Sequence, residues 1–389
     1  MRACSAREVA PAAIHKLAAV PQAHRAERID AEGLRDRDLL DAWRRLALLR
    51  GNPFLTPEWF AVATELTPED EPHAIAWRVD GDLRGVLPLV STKRGPLRVL
   101  RFANARRGDW FGPACRPEDE AAMGEDCGKL LASEAGSWSA LVLNRIDADS
   151  AWPRALGLHT SPRRRGDVLP FIAFDERGYE GYLADRSRNF RSQLGRRRRK
   201  LERDHGLSFR MTSSPEQLEA DLDAFFRLHD ERWDARGGST LGDERSRRLL
   251  AAFARAAQRQ GWLRLWIAEA DGEPAAAWYG WRIGERYCYS LAGLAGRYEK
   301  QGLGNVMLAH TIEQAAAEGA TIYDLMWGDE AYKERFQTGV REAGTWLVPS
   351  GLPSRVALGG AVRGVHALES LPPGAREPLR RLKRGLRRS

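Results

Sequence analysis

The sequence predicts an α+β fold built as two tandem units, each a mixed, mostly antiparallel sheet flanked by helices. Three observations predict it. The chain has 389 residues, and domains of about 100–200 residues make two units the natural reading. A strand–Asp-Gly–strand pattern occurs twice, at 74–90 around Asp80-Gly81 and at 265–281 around Asp271-Gly272. Asp-Gly marks a tight hairpin because glycine takes positive φ without steric cost. The second half then runs helix, helix, three strands, a glycine-rich turn, helix and strand, which is an α+β order.

Residues 1–35 are rich in Ala, Arg and Pro and read as weakly ordered. The first unit is placed at 36–174. Within it, residues 38–50 carry leucines and Trp43 at helical spacing. Residues 52–59 (NPFLTPEW) form a turn into a helix, with Thr56 as N-cap and Pro57 at the first helical position. Strands are expected at 74–79, 83–90, 97–103 and 139–146, and a helix near 118–135. Residues 147–167, which contain Pro153 and Pro162, read as a connection.

The second unit is placed at 175–348. Helices are expected at 215–236 and 246–260, strands at 263–270, 275–283 and 286–294, a helix at 303–317 and a buried strand at 321–327. Residues 349–389 form a basic tail. Its segment 376–388 places Leu379, Leu382 and Leu386 among arginines, either a membrane-surface helix or a frayed end.

The composition is 43% hydrophobic and 29% charged, ordinary for a globular protein with real cores. The net charge of +8 favours anionic partners. No HxxxH, HExxH or CxxC spacing occurs, so no metal is expected. The four cysteines read as reduced thiols. No apolar run reaches signal-peptide or membrane-spanning length, so the cytoplasm is the expected compartment.

The chemistry is expected at residues 298–305 (YEKQGLGN), between a strand and a helix. Glycines there let backbone approach a ligand, and the first-turn amides of the helix suit a diphosphate. The turn is neither a dinucleotide fingerprint nor a P-loop, lacking the third glycine and a Gly-Lys-Ser/Thr. Residues 322–333 (IYDLMWGDEAYK) follow as a strand ending in acids. Asp324 reads either as a base or as a structural carboxylate, Tyr332 as an acid or a packing residue, and Asp329 as a base or a helix-capping acid.

With these residues the chain resembles the GNAT superfamily, and more closely the CelD-like acetyltransferases associated with bacterial cellulose and exopolysaccharide synthesis. The resemblance is densest over 309–336 (AHTIEQAAAEGATIYDLMWGDEAYKERF), and extends to the basic stretch 188–202 (RNFRSQLGRRRRKLE) and to 52–60 (NPFLTPEWF). It implies tandem acyl-CoA N-acyltransferase domains, the first degenerate. It implies acetyl-CoA or another acyl-CoA as donor and a small-molecule or glycan acceptor bearing an amine or hydroxyl. Gln301, Gly302, Leu303, Gly304, Asn305 and Val306 would bind the diphosphate, and Tyr289, Leu291 and Ala292 the pantetheine arm. Asp324 and Asp329 would be bases, Tyr332 the acid that protonates the thiolate, and Trp327 and Lys333 acceptor-binding residues. Where an Arg or Gln often opens the phosphate turn, this chain has Glu299.

Arg196, Arg197, Arg198, Arg199 and Lys200 form a cationic run, a solvated face or a contact for an anionic partner. Two other functions stay in view: aminoacyl transfer from tRNA, as in the related FemAB-like transferases, and a catalytically silent adaptor of exopolysaccharide assembly.

Overall fold

The computed structural model describes residues 23–158, 161–234 and 241–351. The first half runs β1 (His24–Arg28), α1 (Arg37–Arg50), α2 (Pro57–Glu65), β2 (Asp70–Pro72), β3 (Ile75–Val79), β4 (Asp82–Leu87), β5 (Leu89–Arg94), β6 (Leu97–Phe102), β7 (Ala114–Cys115), α3 (Glu120–Ser133), β8 (Ala140–Asp147), α4 (Trp152–Ala155) and β9 (Ser161–Ala173). The second half runs α5 (Gly178–Ala184), α6 (Arg188–His205), β10 (Ser208–Met211), α7 (Pro215–Asp234), α8 (Glu244–Arg259), β11 (Leu263–Ala270), β12 (Glu273–Ile283), β13 (Arg286–Leu294), α9 (Leu303–Ala317), β14 (Ile322–Asp324), α10 (Ala331–Phe336) and β15 (Gly339–Pro349).

One sheet crosses the whole molecule in the order β10-β11-β12-β13-β14-β9-β15-β8-β6-β5-β2, and a smaller sheet holds β1-β3-β4-β7. Most pairings are antiparallel. The two parallel ones are β6–β8 and β13–β14, each bridged by a helical crossover. The fold is thus the expected α+β arrangement of mostly antiparallel sheets flanked by helices.

The halves are knitted by strands the sequence conceals. β9 lies between β14 and β15, and β15 pairs onward with β8. A boundary drawn at 174 therefore separates neighbours in one sheet. β9 covers much of what reads as a connection at 147–167, because its prolines and arginines suppress the strand signal while its backbone finds partners on both sides. Aromatic pegs strengthen the seam: Phe54 meets Trp281 edge-on at 5.8 Å, and Trp59 meets Phe253 at 5.1 Å. Both pegs come from the NPFLTPEWF segment, whose Thr56 caps α2 by accepting from the Trp59 amide.

Three further expectations need correction. Part of 1–35 is ordered, since β1 pairs with β3. The strand expected at 83–90 is two strands separated at Pro88; β4 enters the small sheet and β5 the large one. The strand expected at 321–327 stops at Asp324, because Met326 adopts φ +60° and turns the chain aside. The basic segment 376–388 lies outside the described residues.

Candidate functional site

The turn before α9 is built as its glycines suggest. Gly302, the N-cap, sits at φ +79°, and no side chain caps the helix. The Asn305 and Val306 amides both donate to the Gly302 carbonyl. The Leu303 and Gly304 amides find no acceptor among the described residues, and no acid sits in the first turn. A helix end left this way carries partial positive charge and two aligned donors. Arg197 of α6 lies against it: a Cβ on Gly302 would stand 2.8–2.9 Å from the Arg197 side chain. Gln301 adds a buried Oε1 with no partner.

The neighbouring strand supplies an opening. β13 and β14 pair only from Arg286↔Ile322 to Cys288↔Asp324. β13 then runs on to Leu294 while the chain after β14 turns toward β9, donating from Leu325 to Pro170 and from Gly328 to Val168. A bulge at Tyr279/Gly280 opposite Ser290 bends β13 just there. The parted strands leave a cavity of about 280 Å³. Its wall includes Tyr289 and Ala292 of β13, Gly302, Gly304 and Asn305 of the turn, and Tyr332 of α10. Leu291, Gln301, Leu303 and Val306 belong to the same two elements but do not line it. Gly293 is required because α7 crosses it closely; a Cβ there would lie 2.6–2.8 Å from Leu228 and His229 atoms.

Tyr332 faces the Tyr289 hydroxyl at 3.5 Å, and Tyr289 stacks on Trp278 at 5.6 Å. Burial, reinforced by Tyr289, pushes the Tyr332 phenol well above its ordinary value, so it keeps its proton at neutral pH. Glu299 and Arg232 also line the cavity, and the Arg232 Nε is buried without a hydrogen-bond partner.

The other sequence-predicted residues sit elsewhere. Asp324 is fully buried. Its Oδ2 accepts from Arg286 at 3.2 Å and Arg341 at 2.8 Å, while Oδ1 accepts from the Met326 amide at 2.8 Å. That arrangement holds the bend after β14. Lys333 is buried too, donating to the Trp327 carbonyl at 2.9 Å and pairing with Glu330 at 2.8 Å. Asp329 is exposed. Trp327 is 39% exposed; its indole N–H donates to Asp167 at 3.1 Å, and the Arg145 guanidinium lies 4.9 Å from its ring.

Sequence reasoning missed Asp109. It lies in the loop after β6, where Arg145 donates to the Asp109 carbonyl at 2.6 Å and the Ala105 carbonyl at 2.7 Å. Burial pushes the Asp109 carboxyl up to about 7, against the opposing pull of Arg145 and Lys333. It therefore feels the charges of Glu330 and Lys333 at the start of α10, although it does not line the cavity beside Tyr332. Nothing in the local sequence, RRGDWFG, marks this aspartate, because its partners lie more than thirty positions away.

Residues 188–334 match the family model of the acetyltransferase (GNAT) domain. The matched region holds α6 through most of α10, and so the whole of the turn, the parted strands and Tyr332. Among solved structures, that of FemX is similar over 79% of this chain and 96% of its own, with a TM-score of 0.59 and 14% identity. The C-terminal domain of a putative lysylphosphatidylglycerol synthetase from Agrobacterium fabrum is similar over 83% and 94%, with a TM-score of 0.52 and 12% identity. L-PGS from Bacillus licheniformis is similar over 85% and 97%, with a TM-score of 0.51 and 14% identity. At such identities the likeness shows the fold, and it extends well beyond the GNAT domain into the first half. No curated protein matches the sequence. Among the described residues there is no cluster able to hold a metal, and no helix is long and apolar enough to cross a membrane.

Proposed function

We propose that the chain is an acyltransferase that moves an acyl group from a coenzyme A thioester directly to an amine or hydroxyl. The observation that carries the reading is the shared cavity, which joins the uncapped turn of α9 to the open edge of β13 and to Tyr332. The residues suit such a donor. The Leu303 and Gly304 amides and Arg197 offer a seat for a diphosphate. The unpaired edge of β13 beyond Cys288, with half-buried Leu291 and Ala292, offers backbone partners for an amide-bearing arm.

A coenzyme A thioester supplies an activated acyl carbon and a thiolate leaving group. Tyr332, protonated and beside the cavity, is positioned to give its proton to the departing sulfur. We assign the base to Asp109 on its titration alone, since it does not line the cavity: near neutrality its carboxylate is partly ionised, and a base is most effective when its pKa lies close to the working pH. Asp324 keeps a structural role, because two arginines occupy the oxygen that would accept a proton. Exposed Asp329 and buried Lys333 are given no step in this reading. A glycan or small molecule of a cell-envelope pathway fits the resemblance to the CelD-like family.

One observation favours a second reading. Glu299 lines the cavity where a diphosphate-binding turn is best served by a cation. An acid there suits a donor bearing an ammonium, such as an aminoacyl ester carried on tRNA, and the arginines of α6 beside the turn suit its phosphates. Calorimetric titration separates the two. Acetyl-CoA is expected to bind, and to bind about tenfold or more weakly in Gly304→Asp. No heat at millimolar acetyl-CoA, together with salt-dependent tRNA binding, would replace the first reading by the second. Neither donor binding would leave the adaptor role.

A further inference from the structure

A second cavity lies at the seam itself, between the β5–β6 region and the start of α8. Its volume is about 310 Å³, and five of its lining residues are arginines: Arg94, Arg101, Arg106, Arg107 and Arg245. They come from the end of β5, from β6, from the loop after it and from the first turn of α8, so no run in the sequence announces them. The remaining lining residues are Thr, Glu, Asn, Asp and Ser; no apolar side chain is among them.

Three of the arginines are neutralised. Arg101 forks onto buried Asp70 with both contacts at 2.7 Å, Arg245 pairs with Glu69 at 2.7 Å, and Arg107 with Asp243 at 3.1 Å. The Arg94 and Arg106 side chains make no hydrogen bond or ion pair among the described residues, and both residues are exposed. Two positive charges are thus left over in a wholly polar hollow. Burial lowers the Arg101 and Arg107 guanidinium values, and repulsion from Arg94 and Arg106 respectively lowers them further. Like charges held this close are relieved by a bound anion, and guanidinium forks match the geometry of phosphate oxygens.

We propose that this hollow is a binding site for the phosphate or diphosphate group of a small molecule, separate from the α9 turn. The absence of apolar lining means that the charged group itself is what the site grips. Occupancy would bridge the two halves, since Arg94 and Arg106 belong to the first and Arg245 to the second. It would also pin the loop that carries Asp109, two positions beyond Arg107.

The test is a calorimetric titration of the full chain with inorganic diphosphate, repeated with the Arg94→Gln/Arg106→Gln variant and with Gly304→Asp. Both arginines are at the surface, so the variant should melt as the parent does. The expected result is saturable binding that weakens about tenfold or more in the arginine variant, the loss expected for two charge-assisted contacts, and that survives Gly304→Asp. Acetyl-CoA binding should be unchanged in the arginine variant. Absence of saturable binding overturns the proposal. So does binding that the arginine variant leaves intact, or binding that sulfate at equal ionic strength abolishes equally in parent and variant. Diphosphate binding lost only in Gly304→Asp would place the anion at the α9 turn, overturning this site while leaving the acyl-transfer reading standing.

Discussion

The two halves each contain a strand, a helical crossover and a parallel partner strand: β6, α3, β8 in the first and β13, α9, β14 in the second. They differ at the point where a ligand could enter. In the first half α3 is preceded by Glu118 and Asp119 and begins with Glu120. Glu120 is buried and fully engaged, pairing with Arg50 at 2.9 Å and accepting from Ser150 Oγ and the Ala151 amide at 2.7 and 3.0 Å. Beyond the β6–β8 pairing, the loop after β6 returns to β8, where Phe111 forms a parallel bridge with Ile146. Gly124 and Gly128 bring α3 flush against α4, where a Cβ on Gly128 would stand 1.9 Å from the Leu156 carbonyl oxygen. In the second half the helix start is free of acids, two amides are unspent and the strands part. The same topology therefore makes a sealed platform once and an open cavity once. The difference rests on which side chains fill the helix N-terminus and on whether a loop covers the place where the parallel pairing ends.

The largest expected effect tests the open half directly. Tyr332→Phe should lower kcat by about 10²–10⁴-fold, the usual worth of a general acid, with acetyl-CoA affinity unchanged. A variant that retains full kcat removes Tyr332 from the chemistry. Next comes Asp324→Asn. Removing one member of a buried ion cluster typically costs about 3–5 kcal/mol, here by leaving Arg286 and Arg341 unneutralised. Denaturant unfolding should show that loss, and whatever folded fraction remains should keep a normal pH profile. An altered profile at full stability would return Asp324 to the list of bases. Smaller again is Gly304→Asp, which gives α9 the acidic first turn that α3 already has. The Cβ position at Gly304 meets only Leu294, at 3.6 Å, so the fold should tolerate it. A carboxylate at a helix N-terminus interacts with it by up to about 2 kcal/mol, so an anion competing for the same amides should lose about tenfold or more in affinity. Unchanged binding of acetyl-CoA would separate the turn from the diphosphate.

Much of the second half was legible because its elements obey local rules. The expected strands at 263–270 and 286–294 and the helix at 303–317 have the observed bounds. Asp271-Gly272 makes its hairpin with both residues at positive φ. The seam was not legible. β9 carries prolines and arginines that contradict strand propensity, and β15 lies beyond the last strand the sequence predicts. Both are held by pairing with strands distant in sequence, which no local pattern records. The site divides the same way. Gly302 and Tyr332 carry signals in their neighbours, whereas Asp109 acquires its character only when the fold buries it beside Arg145 and the α10 loop. Asp324 stayed open between two readings for a related reason. An acid in an apolar strand signals that something special holds it, and the sequence does not say whether that is a substrate or a pair of arginines.

The smallest effect is a shift in a pH profile, and it concerns Asp109 of the first half. A base with a pKa near 7 is inactive when protonated, so kcat/KM should rise with pH and level off above about 7. The Asp109→Asn variant should lose this limb along with most of the rate. A gentler change uses the sign of the neighbours. Glu330 is exposed and its negative charge helps raise the Asp109 value, so Glu330→Gln should slide the limb toward lower pH by a fraction of a unit. Because Glu330 touches Lys333 rather than the cavity wall, the plateau rate should stay within about twofold, as expected for a surface charge change. A limb that moves upward, or one that persists in Asp109→Asn, would mean that the titrating group belongs to the substrate or to another residue. The first half would then be a platform and nothing more.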